Sequence, residues 1–190
     1  LGSQWPFETF SQYLDVIERR GQAINVAVLV GHTPVRLYVM GEEATEREAT
    51  AEEIAQMRAI VSDALKAGAL GFSTSKAPTH VGYKGKPVPS RLASFDEISR
   101  LAGALSDVPG GMMQATLGPG LLFSEFSKIA KQTGKAVSWT ALLAGMKGKG
   151  SHRGMLKTAE EIQAQGLRVY PQVTCRPLML FPSTIGTIRS

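Results

Sequence analysis

The 190-residue chain is long enough for one domain with its own core, and its 43% hydrophobic and 19% charged residues are typical of a folded globular protein. No apolar run reaches the roughly 18 to 20 residues that span a bilayer, and the first residues lack the basic and apolar segments of a signal peptide. The one cysteine, Cys175, excludes an internal disulfide and a multi-cysteine zinc motif, which suits a reducing compartment. We therefore expect a cytoplasmic protein with no membrane partner.

The net charge of +5 raises the question of an anionic partner. The basic residues are scattered, with two loose concentrations at 84–91 and 147–157. Neither has the interleaved aromatic side chains on which bases stack. The charge distribution therefore predicts no nucleic-acid partner, and a steep salt dependence of binding would be the sign of one.

Residues 7–73 predict two helices and two strands. Apolar residues at helical spacing over 7–20, closed by a cationic last turn and Gly21, predict a helix. The β-branched run 23–30 predicts a strand covered on both faces. A loop is predicted from there to Thr50, which with Glu53 forms a capping box. The elements that follow are a helix over 51–67 and a strand over 69–73.

After a long polar loop, Ser94 with Glu97 three positions later again predicts a helix start. Helices and strands then alternate regularly. The predicted elements are helix 95–105, strand 111–117, helix 121–132, strand 136–143, helix 156–165 and strand 167–175.

Buried strands that alternate with helices predict an α/β fold with a parallel sheet. A doubly wound nucleotide binder should carry a glycine-rich first turn, but the segment 31–36 is not G-x-G-x-x-G, and no P-loop motif is present. The alternation therefore favours parallel βα repeats that form part of a (β/α)₈ TIM-type barrel, with about five βα units where a closed barrel has about eight. We expect a partial barrel domain over 1–178 and an unpatterned tail over 179–190.

Polar side chains gather just after the predicted strands, at the end of a barrel where active sites are built. His32 and His80 are candidates for a general base or a substrate hydrogen bond. The candidate substrate-binding residues are Arg36, Lys76, Tyr83, Gln114, Trp139, Gln172 and Arg176. Arg36, Lys76 and Arg176 have the charge to bind a carboxylate. For each there is a structural alternative: His32 can cap a strand end, and Lys76 and His80 can be solvated surface groups.

Two reaction types have no motif in the sequence. The three histidines lack the spacing that brings two imidazoles to one ion, and H-E-x-x-H is absent, so metal binding by this chain has little support. G-x-S-x-G is absent as well, so the motifs give no support for a serine nucleophile.

Several stretches, taken together and in order, resemble one known family. They are Trp5-Pro-Phe-Glu-Thr-Phe-Ser-Gln-Tyr-Leu14, Asn25-Val-Ala-Val-Leu-Val-Gly-His32, Arg36, Met40-Gly41, Thr50 with Met57, and Ala67-Gly-Ala-Leu-Gly-Phe-Ser-Thr74. The chain resembles the D-aminoacylase (N-acyl-D-amino-acid deacylase) branch of the amidohydrolase superfamily. The resemblance is good over 4–75, weaker to about Leu178 and absent from the tail.

The resemblance implies a metal-dependent (β/α)₈ barrel that hydrolyses the amide of N-acyl-D-amino acids with a metal-bound water, zinc being the metal expected for the family. The family's His-x-His pair, cysteine and aspartate ligands would lie outside this chain, which is then a segment of the catalytic barrel. Its two other histidines would fall on the strands over 111–117 and 136–143, where Gln114 or Thr116, and Trp139 and Ala141, stand instead. Residues in this chain therefore support no metal ligand.

The resemblance also gives the long loop a meaning. In the family, the strand that ends Gly-x-Ser-Thr continues with Gly-Leu and a short loop, whereas here Ser75-Lys76 stands there and the loop runs to Ser90. A loop of this length predicts a lid or a substrate loop.

The leading hypothesis is a hydrolase of the amidohydrolase type that cleaves non-peptide C–N bonds in small N-acyl amino acid substrates. The alternative is a catalytically inactive binding or assembly module derived from such an enzyme. The sequence leaves open which is correct. Because a partial barrel leaves unpaired sheet edges, we expect a homo-oligomer or association through those edges.

Overall fold

The computed structural model describes residues 5–144 and 148–173. Arg176 and the predicted tail 179–190 lie outside the described residues. The strands are β1 Leu29–Gly31, β2 Gly71–Ser75, β3 Met112–Thr116, β4 Ala136–Thr140 and β5 Val169–Pro171. The helices are α1 Phe10–Arg20, α2 His32–Met40, α3 Ala51–Lys66, α4 Phe95–Ala102, α5 Phe123–Thr133 and α6 Ser151–Gln163.

The sheet follows the order of the chain. All four neighbouring pairs are parallel, and the strands lie in the order β1-β2-β3-β4-β5. A doubly wound sheet reverses its strand order at a switch point, whereas successive neighbours are the arrangement of a (β/α) barrel. The prediction of parallel βα repeats belonging to a barrel is confirmed, and the sheet over the described residues is open.

The two faces of the sheet differ in chemistry. Phe72, Met113 and Trp139 point to the helix-covered face and are fully buried. Because side chains alternate along a strand, their neighbours point to the other face, which would be the interior of a barrel. That face carries polar side chains, among them Gln114 and Ser138, which are in register on β3 and β4. The outer face therefore forms the core, and the inner face is available for a polar site.

The prediction of a strand over 23–30 is correct only at its end. β1 begins at Leu29, and residues 23–27 are exposed, with Ile24 75% accessible. The described sheet has no strand on the far side of β1, so this apolar segment has nothing to cover it. The structure contradicts the expectation that both of its faces are buried.

The loop predicted between His32 and Thr50 is wrong, because α2 occupies 32–40 and a 3₁₀ helix follows over 41–45. Pro34 lies in the first turn of α2, where its missing N–H leaves no intrahelical hydrogen bond unmade. Val35 and Met40 are buried and attach α2 to the core. Gly31 and Pro34 are typical of loops, so the sequence pattern did not indicate a helix that tertiary packing stabilises.

The capping predictions are confirmed in part. Thr50 and Glu53 form the reciprocal capping box at the start of α3. Ser94 accepts a hydrogen bond from the Glu97 backbone N–H at 3.1 Å. The Glu97 side chain does not return to the cap; it points into the interior. α4 ends at Ala102, where a 3₁₀ segment takes over, and α6 begins at Ser151, earlier than predicted.

No helix of the described residues has the length and apolar character to cross a membrane.

Candidate functional site

A cleft of about 490 Å³ opens at the carboxyl ends of β1, β2 and β3. That is the end at which (β/α) barrels place their active sites, and the volume falls in the usual range for small-molecule sites. The side chains that give the cleft its polar character include Ser73, Ser75, His80, Ser90, Gln114 and Thr116. No Asp, Glu, Lys or Arg side chain lines this described cleft.

Ser75 and His80 form a close pair within the cleft. The Ser75 Oγ lies 2.6 Å from the His80 Nδ1. The backbone N–H of Ala77 donates to the same Oγ at 3.2 Å. Since the Oγ already accepts this hydrogen bond, its own proton is free to be donated to the imidazole. Ser75 ends β2 and His80 belongs to the loop beyond it, so the turn between them sets their geometry.

The loop after β2 is fixed at its base and exposed at its tip. Lys76 Nζ donates to the backbone oxygens of Arg91 at 2.5 Å and Ala93 at 2.7 Å, which ties the two ends of the loop together. The tip is a small hairpin in which Val81 bridges Pro87. Tyr83 at this tip is 84% exposed. The loop therefore borders the cleft with His80 while holding Tyr83 in solvent.

The position of Lys76 also affects its charge. Partial burial lowers the pKa of the Lys76 ammonium, and the negative charges of Glu48 and Glu97 oppose that effect. Its hydrogen bonds to two carbonyl oxygens orient the group toward the protein and away from the cleft.

Behind the cleft, His32 and Glu97 belong to a fully buried polar network. The His32 Nδ1 lies 2.7 Å from the Thr74 Oγ1, and its Nε2 lies 2.7 Å from the Glu97 Oε1. The other oxygen of Glu97 accepts a hydrogen bond from Arg36 Nη1. The network joins α2, β2 and α4, so it fixes the helices against the strand that carries Ser75.

Both terminal nitrogens of the Arg36 guanidinium bind groups of the protein. It is 0% exposed, and besides its ion pair with Glu97 it donates from Nη2 to the backbone oxygen of Arg47 at 2.7 Å. Its Nε has no hydrogen-bond partner among the described residues. The arginine thus neutralises a buried carboxylate, and its guanidinium does not line the cleft.

Burial and charge set the protonation of this network. Burial lowers the pKa of His32, and this outweighs the hydrogen bond and the negative charge of Glu97, which act in the opposite direction. Burial also opposes ionisation of Glu97, but hydrogen bonds from His32 and Arg36 hold the pKa of its carboxyl below the ordinary value. The consistent arrangement is a neutral imidazole that donates from Nε2 to Glu97 and accepts the Thr74 hydroxyl at Nδ1.

A second polar group lies further along the inner face. Gln114 Nε2 donates to Gln172 Oε1 at 3.3 Å, and the Thr140 hydroxyl donates to the same oxygen at 2.5 Å. These contacts link the carboxyl ends of β3, β4 and β5. They place two amide side chains, which can both donate and accept, at the inner wall.

Trp139 lies on the opposite face of its strand. It is fully buried, and its ring meets Phe123 of α5 edge to face at a centroid distance of 5.1 Å. Its place is the core between sheet and helix.

The structure brings His32, His80 and Gln114 to one cleft, with Gln172 touching Gln114. Arg36, Lys76, Trp139 and Tyr83 lie outside that lining, and Arg176 falls outside the described residues. Sequence reasoning missed Ser75 as the partner of His80, although Ser75 is where the chain departs from the Gly-Leu of the family it resembles. It also missed the interior role of Glu97, because the same residue fits a capping box.

The residues described here do not fit the metal that the family resemblance implies. Over 5–144 and 148–173 there is no group of three or more His, Cys, Asp or Glu side chains that could hold an ion. The inner wall offers hydroxyls and amides, which are weak ligands for zinc.

Known proteins that are similar in sequence to the chain include two deacylases. No protein-family model matches the chain. It is 42% identical over 73 residues to the D-aminoacylase of Alcaligenes xylosoxydans xylosoxydans, a match that covers 38% of the chain and 15% of that protein. It is 36% identical over 104 residues to the N-acyl-D-glutamate deacylase of the same organism, covering 55% of the chain and 20% of that protein.

Solved structures give the same picture. A D-aminoacylase that defines a subset of amidohydrolases matches with a TM-score of 0.68 at 27% identity, covering 85% of this chain and 32% of that one. The N-acyl-D-glutamate deacylase of Bordetella bronchiseptica, in complex with zinc and a phosphonate mimic of the tetrahedral intermediate, matches with a TM-score of 0.67 at 26% identity, covering 85% and 33%.

The sequential parallel sheet and the cleft at its carboxyl edge are those of part of a TIM-type barrel, similar to the barrel of this D-aminoacylase. Within that class, it is similar to a partial region of D-aminoacylases and N-acyl-D-amino-acid deacylases. The chain spans between 15% and 20% of the length of the curated relatives described above.

Proposed function

We propose that the protein formed with this chain is a hydrolase of the amidohydrolase type, and that it cleaves the amide C–N bond of N-acyl amino acids. The observation that carries the proposal is the polar cleft at the carboxyl ends of β1 to β3, in a chain related to D-aminoacylases and N-acyl-D-glutamate deacylases. In this proposal the chain is a segment of the catalytic barrel that supplies one wall of the substrate site.

The residues take two kinds of role. His80 and Gln114 face the ligand, with Gln172 orienting the Gln114 amide through its hydrogen bond. Tyr83, which is exposed at the loop tip outside the cleft lining, stays a proposed ligand contact. The positioning residues are His32, Arg36, Lys76 and Trp139, whose side chains contact protein groups outside the cleft. Since the described cleft wall has no cationic side chain, Arg176 is our candidate for the substrate carboxylate.

Zinc is the metal that we propose for the whole protein, supported by the zinc complex of the Bordetella bronchiseptica deacylase. Its ligands would have to come from residues other than those described. We also propose a cytoplasmic location, which the solitary Cys175 favours.

The test is release of free amine from a panel of N-acetyl-D- and N-acetyl-L-amino acids, with zinc added or removed by a chelator. We expect zinc-dependent release of amine. The rate should fall by about 10²-fold or more in Gln114→Ala, because the side chain that orients the substrate amide is lost. Ser99→Ala, which lies on α4 away from the cleft, is the control. No release from any member of the panel, with a folded protein, would contradict the proposal.

The second candidate is a binding or assembly module without catalysis. It is favoured by the absence of a metal-ligating cluster among the described residues. It predicts that N-acyl amino acids bind with the same affinity in the presence and absence of zinc and are recovered intact.

A further inference from the structure

We propose that Ser75 and His80 form a nucleophile–base pair that accepts an acyl group from a neutral carboxylic ester. The activity is distinct from the metal-dependent amide hydrolysis proposed above and does not depend on it. It rests on the geometry of two side chains that no sequence motif joins.

The first support is the hydrogen-bond arrangement of the hydroxyl. Ser75 Oγ lies 2.6 Å from His80 Nδ1, within the distance over which an imidazole can take a hydroxyl proton. The Ala77 N–H, at 3.2 Å from the same Oγ, occupies an acceptor site of the oxygen and directs its proton toward the ring. A serine hydroxyl becomes nucleophilic when a base is held in this way.

The second support is access. Both residues line the cleft of about 490 Å³, and His80 is exposed, so an acyl carbonyl can approach the Oγ from the open side. Thr116 stands beside Ser75 in register on β3 and also lines the cleft. Its hydroxyl can donate to the acyl oxygen, on which negative charge develops when the Oγ attacks.

The third support is the rigidity of the frame. The Ser75 backbone oxygen accepts a hydrogen bond from Ser90 Oγ at 2.9 Å, and the Lys76 ammonium holds the far end of the loop. His32, whose ring contacts Phe72 of the same strand, is locked by Thr74 and Glu97 behind it. The strand end that carries the nucleophile is therefore fixed from both sides.

The chemistry balances with an ester and water alone. Ser75 Oγ bonds to the acyl carbon as its proton passes to His80 Nδ1, and the bond to the leaving oxygen breaks as that oxygen takes the proton from His80. Water then adds to the acyl-serine with its proton passing to Nδ1, and the Oγ leaves with that proton. One ester and one water give one carboxylic acid and one alcohol.

The lining selects the class of substrate. The described cleft has no charged side chain of Asp, Glu, Lys or Arg, so it offers no partner for an ionised acyl group. Its volume suits a small ligand. The expected substrates are esters of short, uncharged acyl groups.

The test uses 4-nitrophenyl acetate with the chain in the presence of a chelator, which removes the metal-dependent reaction. We expect a burst of 4-nitrophenolate and one acetyl group on Ser75, located by peptide mapping. In Ser75→Ala this acetyl group is absent. In His80→Asn, the amide oxygen can still accept a hydrogen bond from the Ser75 hydroxyl but is too weak a base to take its proton. Acetylation of Ser75 should therefore slow by about 10²-fold or more.

Two variants control for non-specific acetylation: Ser99→Ala removes a serine of α4, and His152→Asn removes an imidazole of α6, so both should react as wild type. Thermal melts check that each variant folds. If Ser75→Ala does not fold, the proposal is tested by the acetylation site mapped in the wild type and by the acetylation rate of His80→Asn. Absence of acetyl on Ser75 in the wild type, or an equal rate in His80→Asn, would overturn the proposal. Because the assay contains chelator and an ester, its outcome is independent of amide hydrolysis.

Discussion

Glu97 has two roles that a sequence cannot separate. Its backbone N–H is capped by Ser94, as the spacing predicts, but its carboxylate is buried between His32 and Arg36. A carboxylate removed from water must be paired and hydrogen-bonded, and both conditions are met here. The ion pair specifies how α2 and α4 meet, and so it sets the position of the strand end beside them.

Replacing Glu97 with Gln should destabilise the protein by about 3–5 kcal/mol, because it leaves the buried charge of Arg36 uncompensated. The free energy of unfolding in urea measures this directly. Glu160→Gln, on the exposed side of α6, should change it by less than about 0.5 kcal/mol. A loss in Glu97→Gln as small as in this control would mean that the pair does not hold α2 against α4.

His32 should make stability depend on pH. Burial lowers the pKa of its imidazole in the folded state, so below the ordinary value of about 6.5 the unfolded chain takes up a proton that the folded chain refuses. The stability that the neutral imidazole contributes is fully present above about pH 6.5. It is lost as the pH falls toward the lowered pKa of the folded state, with a slope of up to about 1.4 kcal/mol per pH unit.

Urea unfolding at several pH values between about 7.5 and 5 measures that slope. His32→Gln should flatten it, and His80→Asn serves as the matched loss of an exposed imidazole. The expectation fails if the wild type and His32→Gln show the same slope.

Several cleft-lining residues could be predicted at the residue scale, since His80 follows β2 and Gln114 lies on β3, and both line the cleft. Ser75 could not, because its partner is defined by the turn of the loop and by no fixed motif. The inward direction of Glu97 and the outward direction of Trp139 depend on which face of each element meets the sheet. Local patterns do not determine that choice at single positions.

At the scale of elements, Gly118 lets the loops after β2 and β3 approach each other. A Cβ built on Gly118 would lie 1.8 Å from the Lys76 carbonyl oxygen and 2.1 Å from its carbon. Backbone atoms cannot move aside as a flexible side chain can. The absence of a side chain here therefore positions the loop base from which His80 extends.

Gly118→Ala should cost about 1–3 kcal/mol, because it forces the two loops apart. It should also reduce acetylation of Ser75, since the turn that holds His80 is displaced. Gly110→Ala is the matched control, because a Cβ there meets no atom within 4 Å. Equal melting temperatures for the two variants would argue against the close approach.

The strands and the helices from α3 onward could be predicted because their apolar patterns match their burial. α2 could not, since Gly31 and Pro34 read as loop signals and its helical form depends on the buried network of His32 and Arg36. The strand predicted over 23–30 was too long because a β-branched run indicates β structure without saying where a neighbouring strand stops. Pairing partners are non-local, and a single sequence does not reveal them.

At the scale of the whole molecule, the edges of the sheet carry backbone N–H and C=O groups that can pair with another chain. Within the described residues, β1 pairs with β2 and β5 pairs with β4, so each has one free side. Next to β1, Ile24 and Val26 are 75% and 49% exposed. An apolar segment beside an unpaired strand favours association with another chain.

We therefore propose that the chain associates through the β1 edge, and we expect its sedimentation to depend on concentration. The double substitution Ile24→Lys with Val26→Lys should shift it toward the monomer, because charge on an edge opposes pairing. Tyr38→Lys, which removes an exposed aromatic group from α2, should have no such effect. A wild-type chain that stays monomeric at all concentrations would contradict this proposal.

We propose that the cleft at the carboxyl ends of β1 to β3 binds N-acyl amino acids. Titration of the ¹⁵N-labelled chain with N-acetyl-D-alanine, whose side chain is uncharged, can be followed by backbone amide shifts and needs no metal or turnover. We expect shifts concentrated at Ser75, His80, Gln114 and Thr116, and weaker shifts in Gln114→Ala. No shifts at millimolar ligand, or shifts confined to residues outside the cleft, would contradict it.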